Sequence, residues 1–227
     1  MKKIYLSSIL ASFLVLFLYS SLLHAQAFRK GSLLISLSEG STWANVSTTD
    51  MSDAKHPLLM HQENIHGARD PIIIEYGITS RWSLGLSSGT DFYEINPYDY
   101  YGFKRTDDKK IKATTGEFNL DGNYHFLVTK KLDLSAFVSL GFYSVSLKEQ
   151  EFSDSKPYVY KSNGGIYRTG LKARYYFFKH FGVFGMYSVH SASSSPKDVE
   201  GNTVGQNYST KICGNALEAG LCFKFLK

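Results

Sequence analysis

The chain has few of the residues that would build a disulfide-stapled domain. Its 227 residues include only two cysteines and five prolines. Cys213 and Cys222 fall on one predicted strand, where the residues between them span about 30 Å, too far for a disulfide bond. The scarcity of proline is typical of long paired strands, because proline cannot donate a hydrogen bond within a sheet.

Net charge and recognisable motifs are also limited. The formal charge is +5 at pH 7, and Lys2 and Lys3 near the N-terminus supply two of those charges. The remaining charge is too small to indicate a nucleic-acid partner. After the first 27 residues there is no helical segment, internal repeat or linker. Because no regular catalytic, metal or cofactor motif is present, we expect no catalytic residues, no metal and no cofactor.

The first 27 residues are typical of a cleaved secretory signal peptide. The two lysines are followed by a short apolar segment, Ile9–Leu18, and by Ala25-Gln26-Ala27, which offers small side chains to a signal peptidase. The apolar segment is too short for a transmembrane anchor. We therefore assign residues 1–27 to a signal peptide and residues 28–227 to one exported domain.

Eight segments of the exported domain alternate apolar and polar residues. The pattern is clearest over residues 118–128, where Phe118 and Leu120 alternate with Asn119 and Asp121. A period of two creates two separate faces only in a β-strand. We predict strands at residues 29–38, 71–79, 81–93, 113–128, 131–147, 164–178, 181–192 and 211–226.

The connections between these strands alternate strictly between short and long. The short ones are turns of a few residues, of which Ser80 forms the first. The long ones occupy residues 39–70, 94–112, 148–163 and 193–210. Short turns at one end and long loops at the other are typical of an up-and-down membrane barrel. We therefore predict an all-β fold, a single eight-stranded antiparallel transmembrane β-barrel.

One face of every predicted strand is free of charge. The charged residues occupy the opposite face, so we expect them inside the barrel and the apolar faces in lipid. Eight strands leave room only for side chains, and buried charges persist only when they are paired. We therefore predict a plugged, salt-bridged interior, with a narrow channel for small solutes or ions as the alternative. The predicted members of the network are Glu75, Asp91, Glu117, Asp121, Asp133, Arg168, Lys172, Arg174, Glu218 and Lys224.

The whole exported domain resembles the small eight-stranded outer-membrane β-barrel superfamily of OmpA-, OmpX- and OmpW-like proteins. The resemblance rests on the repeated alternation and on the order of short and long connections. It implies a monomeric protein of a Gram-negative outer membrane, with a structural or surface-interaction role and no enzymatic activity. The implied partners are outer-membrane lipid and lipopolysaccharide, together with an extracellular ligand bound through the long loops.

Two long loops contain residues that suit binding. In the second, aromatic and basic side chains form a candidate surface-binding loop of the composition found at interfaces: Tyr98, Tyr100, Tyr101, Phe103, Lys104 and Arg105. The alternative is that its aromatic residues continue the interfacial girdle of the barrel. The first loop carries His56, His61 and His66, whose spacing matches no regular metal motif.

One short stretch supports an enzymatic alternative. His190-Ser191-Ala192-Ser193 resembles the His-x-Ser-Asn stretch of PagL-type lipid A deacylases, in which a histidine activates a serine nucleophile. Ala192 stands where the serine is expected, and the strand phase points His190 inward. We therefore retain a lipid A-modifying hydrolase only as an alternative to a barrel without enzymatic activity.

Overall fold

The computed structural model describes residues 27–50, 58–95, 111–149, 158–195 and 208–225. The strands are β1 (Leu33–Asp50), β2 (Leu58–Gly77), β3 (Trp82–Ile95), β4 (Ile111–Val128), β5 (Leu132–Glu149), β6 (Tyr158–Tyr176), β7 (Phe181–Ser195) and β8 (Tyr208–Phe225). They follow one another, antiparallel, around a closed barrel in which β1 pairs with β8. The predicted eight-stranded antiparallel barrel is confirmed. No helix in this part of the chain is long and apolar enough to cross a membrane.

Apolar side chains form the outer surface of the barrel wall, as the alternation predicts. Leu120, Leu140 and Leu171 expose 57%, 61% and 55% of their area, respectively. Many leucine side chains exposed to this extent would be costly in water, because burying one leucine stabilises a protein by about 1.5–3 kcal/mol. The outer surface therefore favours lipid as its solvent.

Aromatic side chains border this apolar belt at both ends of the barrel, as in membrane barrels, where they lie at the two lipid interfaces. At the end with the short turns, the short-turn end, they include Tyr76, Trp82, Tyr175 and Phe225. Toward the opposite, long-connection end they include Phe92, Phe118, Phe142 and Tyr167. On β1 and β2 the apolar run is shorter, since Glu39 and Asp70 are exposed beyond Leu37 and Ile72.

Glycines allow neighbouring strands to close tightly around the interior. On β6, Gly164 lies on the inner face and Gly165 on the outer face. A Cβ at Gly164 would meet the carbonyl oxygen of Ser193 and lie 2.6 Å from the Cα of Ser194. A Cβ at Gly165 would have the carbonyl oxygen of Gly141 as its nearest neighbour, 4.0 Å away. The inner wall therefore has no room for a methyl group at position 164.

We expect Gly164→Ala to destabilise the folded barrel by about 1–3 kcal/mol, because overpacking displaces the adjoining backbone. Gly165→Ala on the same strand should change stability by less than about 0.5 kcal/mol. Denaturant titration of both refolded variants in the same detergent measures the difference. Equal stabilities would show that the assigned orientation of β6 is wrong.

The predicted long loop at residues 39–70 is wrong. β1 continues to Asp50 and β2 begins at Leu58, and within that range Trp43 lies opposite His66. The glycine, serine, threonine and asparagine of this segment are typical of loops. The strands here rise beyond the apolar belt, where an outward side chain no longer has to be apolar.

Two local features also depart from the predicted alternation. Residues 29–32, predicted as the start of the first strand, form a turn in which Gly31 has a φ of 80°. In β4 the register shifts between His125 and Leu127. Because such a bulge adds one unpaired residue, it inverts the faces that follow. Phe126 and Leu127 are both exposed, and Val128, predicted outside, packs against the interior.

Candidate functional site in the barrel interior

The ten charged residues that the sequence predicts inside the barrel are all buried in its interior. Nine of them belong to two groups of ion pairs. We call the group nearer the long-connection end the upper cluster: Arg69, Asp91, Glu117, Arg168 and Glu218. The lower cluster, nearer the short-turn end, contains Glu75, Asp121, His125, Asp133, Lys172 and Arg174. Lys224 belongs to neither cluster, and its ammonium lies 4.5 Å from the ring centroid of Tyr176.

Arg69 is the centre of the upper cluster. Its guanidinium donates to Asp91 at 2.7 Å and to Glu218 at 2.8 Å, and it also donates to Glu117. Arg168 donates to the second oxygen of Glu117 at 2.8 Å. These residues come from β2, β3, β4, β6 and β8, so the hydrogen bonds cross the lumen rather than follow its wall.

Arg174 has the corresponding position in the lower cluster. It donates to Glu75 at 2.6 Å and to Asp133 at 3.1 Å, and its side chain is fully buried. Lys172 donates to the side-chain oxygen of Asn123 at 2.7 Å and lies 3.8 Å from carboxylate oxygens of Glu75 and Asp121. Every cation of this cluster therefore has at least one carboxylate beside it, as buried charges require.

Two members of the clusters, Arg69 and His125, are missing from the predicted network. Arg69 lies in the segment predicted as a loop, although it has the same parity as Glu75 on β2 and so belongs to the same face. His125 has the parity of Asp121 on β4 but was not counted among the charged residues. Continuing the parity of β2 beyond its apolar run would have identified Arg69, and counting histidine among the charged residues would have identified His125.

Buried apolar side chains fill the interior around the charged clusters. Toward the long-connection end they are Ala44, Val46, Ile65, Tyr93, Ala113, Tyr143, Val145, Ile166, Ala192 and Ile212. Toward the short-turn end they are Ala27, Phe28, Leu34, Ile73, Phe137, Tyr176, Phe184, Met186 and Cys222. None of them is more than 8% exposed. The described interior therefore contains buried apolar side chains as well as paired charges.

Residues 27–32 fold across the short-turn end as a cap. The backbone N–H of Ala27 donates to the carbonyl of Thr129 at 3.0 Å, and that of Gly31 donates to the carbonyl of Gly77 at 2.8 Å. Between these anchors, Phe28 is fully buried. Its ring stacks on the imidazole of His125 with centroids 3.5 Å apart and planes 7° apart. The lower cluster is thereby covered from the short-turn side.

Ser83, His125 and Asp133 have distances that resemble a hydrolase triad. Ser83 Oγ lies 3.0 Å from His125 Nε2, and His125 Nδ1 lies 2.7 Å from Asp133 Oδ1. However, Ser83 donates to Glu75 at 2.7 Å, and His125 Nε2 lies 3.1 Å from the same carboxylate oxygen. An imidazole between two carboxylates donates on both sides, so it lacks the lone pair that a general base needs. We therefore interpret the arrangement as structural.

The residues of the deacylase-like stretch do not meet. His190 faces the interior and is 6% exposed, whereas Ser191 and Ser193 lie on the outer face. Ser191 Oγ instead lies 3.3 Å from Cys213 Sγ. A histidine cannot activate a serine on the opposite face of the same strand, so this geometry gives the hydrolase alternative no support.

Several predicted features lie outside the described residues. These are residues 1–26 of the signal peptide, the candidate surface-binding loop from Tyr98 to Arg105, and His56. His61 and His66, predicted in a loop, belong to strand β2 instead. Within the described part of the chain, no group of three or more histidine, cysteine, aspartate or glutamate side chains is arranged to hold a metal ion.

Comparison with known proteins finds likeness at the level of the fold. No protein-family model and no curated relative matches the sequence. The outer membrane protein OprG from Pseudomonas aeruginosa is 13% identical, with a TM-score of 0.52 over 88% of this chain and 99% of its own. A major outer membrane protein from Thermus thermophilus is 15% identical, with a TM-score of 0.48 over 83% of this chain and 99% of its own. The outer membrane protease OmpT from Escherichia coli is 11% identical, with a TM-score of 0.45 over 86% of this chain and 97% of its own.

At this identity the likeness to OprG shows the fold alone. It agrees with the closed, antiparallel eight-stranded barrel of this chain. The chain therefore has the fold of the small eight-stranded outer-membrane β-barrels.

Proposed function

We propose that the protein is a monomeric, integral barrel of a Gram-negative outer membrane with a structural or surface-interaction role. It neither conducts solutes through its lumen nor catalyses a reaction. The observation that carries the proposal is the combination of an apolar outer wall with an interior filled by paired charges. Lipid is the solvent that such a wall requires, and closure leaves no unpaired strand edge within it.

The burial of the interior guanidinium groups supports a closed lumen. In a water-filled pore the charged side chains would line the wall and remain hydrated. Here Arg69 and Arg174 are 1% and 0% exposed and donate to carboxylates on other strands. The narrow channel is therefore the weaker of the two interpretations.

The long-connection end is the surface at which we place contacts outside the membrane. There β1 and β2 present an exposed ladder of amides: Asn45 donates to Asn64 at 3.2 Å, and Gln62 donates to Asn45 at 3.1 Å. In the sequence, the candidate surface-binding loop lies between β3 and β4. We propose lipopolysaccharide and an extracellular ligand as the partners of this end, and membrane lipid as the partner of the apolar belt.

Fractionation and gel mobility test the proposed location. We expect the protein in the outer-membrane fraction, resistant to extraction by alkaline carbonate, because the apolar belt holds it in lipid. Unboiled samples should migrate faster on a denaturing gel than boiled ones, since a closed barrel resists unfolding by detergent. Recovery in the soluble periplasmic fraction would reject the proposal.

Conductance across a planar bilayer tests the closed lumen separately. The refolded protein should insert and give a conductance near zero. A large, steady conductance would replace the closed interior with the channel alternative, while leaving the barrel and its location intact.

A further inference from the structure

Among the described residues, the exposed charged side chains at the short-turn end of the barrel are all of one sign. They are Arg29, Lys30, Arg81, Lys130, Lys131 and Lys179, which we call the basic ring. No aspartate or glutamate occurs in the segments that form this end, residues 27–32, 78–81, 129–131 and 177–180. The ring draws on all three short turns and on the cap, so it surrounds the barrel instead of forming one patch.

The nearest acidic side chains are engaged inside the barrel. Asp133 and Glu75 are the carboxylates closest in sequence to the turns, and both are buried. Both pair with Arg174 and His125. Among the described residues of this end, no exposed carboxylate therefore balances the members of the basic ring that lie in the turns, Arg81, Lys130, Lys131 and Lys179.

The basic ring also lies beside the aromatic girdle of the short-turn end. Arg81 directly precedes Trp82 in sequence, and its guanidinium donates to the hydroxyl of Tyr124 at 3.4 Å. The rings of Trp82 and Tyr124 are 4.8 Å apart, centroid to centroid. Because aromatic girdles lie at the membrane–water interface, side chains adjoining them reach the depth of the lipid headgroups.

We propose that the basic ring binds the phosphates of anionic phospholipids in the leaflet at the short-turn end. The inference rests on the proposed function, since it requires the barrel to span a bilayer. Lysine and arginine at a membrane surface attract anionic headgroups, and the attraction decays within a Debye length. Positive charge around the whole circumference, next to the lipid-facing wall, fits an annulus of headgroups.

The two tryptophans of the chain allow a direct test, because Trp82 lies at the short-turn end and Trp43 toward the other. The Trp43→Phe variant, refolded in phosphatidylcholine vesicles containing phosphatidylglycerol, leaves Trp82 as the reporter. Bromine is placed on the acyl chains of one lipid or the other. At equal mole fraction, brominated phosphatidylglycerol should quench Trp82 at least about twofold more than brominated phosphatidylcholine. The preference should disappear in about 1 M salt, where the Debye length is only about 3 Å.

Two variants serve as controls. Changing Arg81, Lys130 and Lys131 to glutamine in the Trp43→Phe background should abolish the preference. In Trp82→Phe the remaining reporter, Trp43, lies beyond the apolar belt and should be quenched little by either lipid. Equal quenching of Trp82 by the two lipids in an inserted barrel rejects this inference alone. Failure of the chain to insert, judged by its gel mobility, rejects the proposed function and this inference with it.

Discussion

Replacement of Arg69 by alanine should lower the free energy of unfolding of the barrel by roughly 3–5 kcal/mol, the range found when one partner of a buried ion pair is removed. The guanidinium of Arg69 is bound to Asp91, Glu117 and Glu218 at once. Its loss leaves three carboxylates in the interior with Arg168 as the remaining cation of the upper cluster. Both desolvation and mutual repulsion then act against the folded state.

Denaturant titration of the refolded barrel measures this loss. Arg81→Ala is the matched control, because Arg81 is exposed and we expect a change below about 0.5 kcal/mol. Combining Arg69→Ala with Glu218→Gln removes one of the charges left behind, so part of the lost stability should return. A loss below about 1 kcal/mol, typical of exposed pairs, would mean that the upper cluster is hydrated.

Leu171→Arg should destabilise the inserted barrel by about 2–4 kcal/mol, the cost of an arginine facing lipid near the bilayer midplane. Leu171 is 55% exposed on the outer face of β6. It lies midway in sequence between Tyr167 and Tyr175, which belong to the two aromatic girdles. The substitution therefore places a charge where neither interface is close.

Asn163→Arg provides the control on the same strand and the same face. Asn163 is exposed beyond the girdle at the long-connection end, where an arginine should cost no more than about 1 kcal/mol. Reversible unfolding from lipid vesicles compares the two variants. Similar costs at both positions would show that the apolar belt is misplaced along β6.

The barrel fold and the placement of charged residues in its interior follow from period-two alternation. Arg168, Lys172 and Arg174 are separated by even numbers of residues, so any strand must place them on one face. Leu171 and Ala173, at odd positions between them, must then occupy the other face. Because this reasoning needs only neighbouring residues, sequence was sufficient to assign both faces of β6.

Which charged residues pair with one another in the interior depends on features that no single strand encodes. Glu218 meets Arg69 across 149 positions of sequence, and the pairing is set by strand tilt and register around the closed barrel. The extension of β1 and β2 was missed because their outward positions above the lipid carry loop-like residues. The bulge at Phe126 was missed because one extra residue leaves the composition of a strand unchanged.

The cap formed by Phe28 has a consequence for the order of assembly. Its ring docks on an imidazole that is fixed by Glu75 of β2 and Asp133 of β5. Its segment is also tied to Thr129 and Gly77, which lie at two different turns. These sites exist only when the strands that carry them have come together. Among the described residues this segment is synthesised first, yet it can dock only after β2, β4 and β5 have come together.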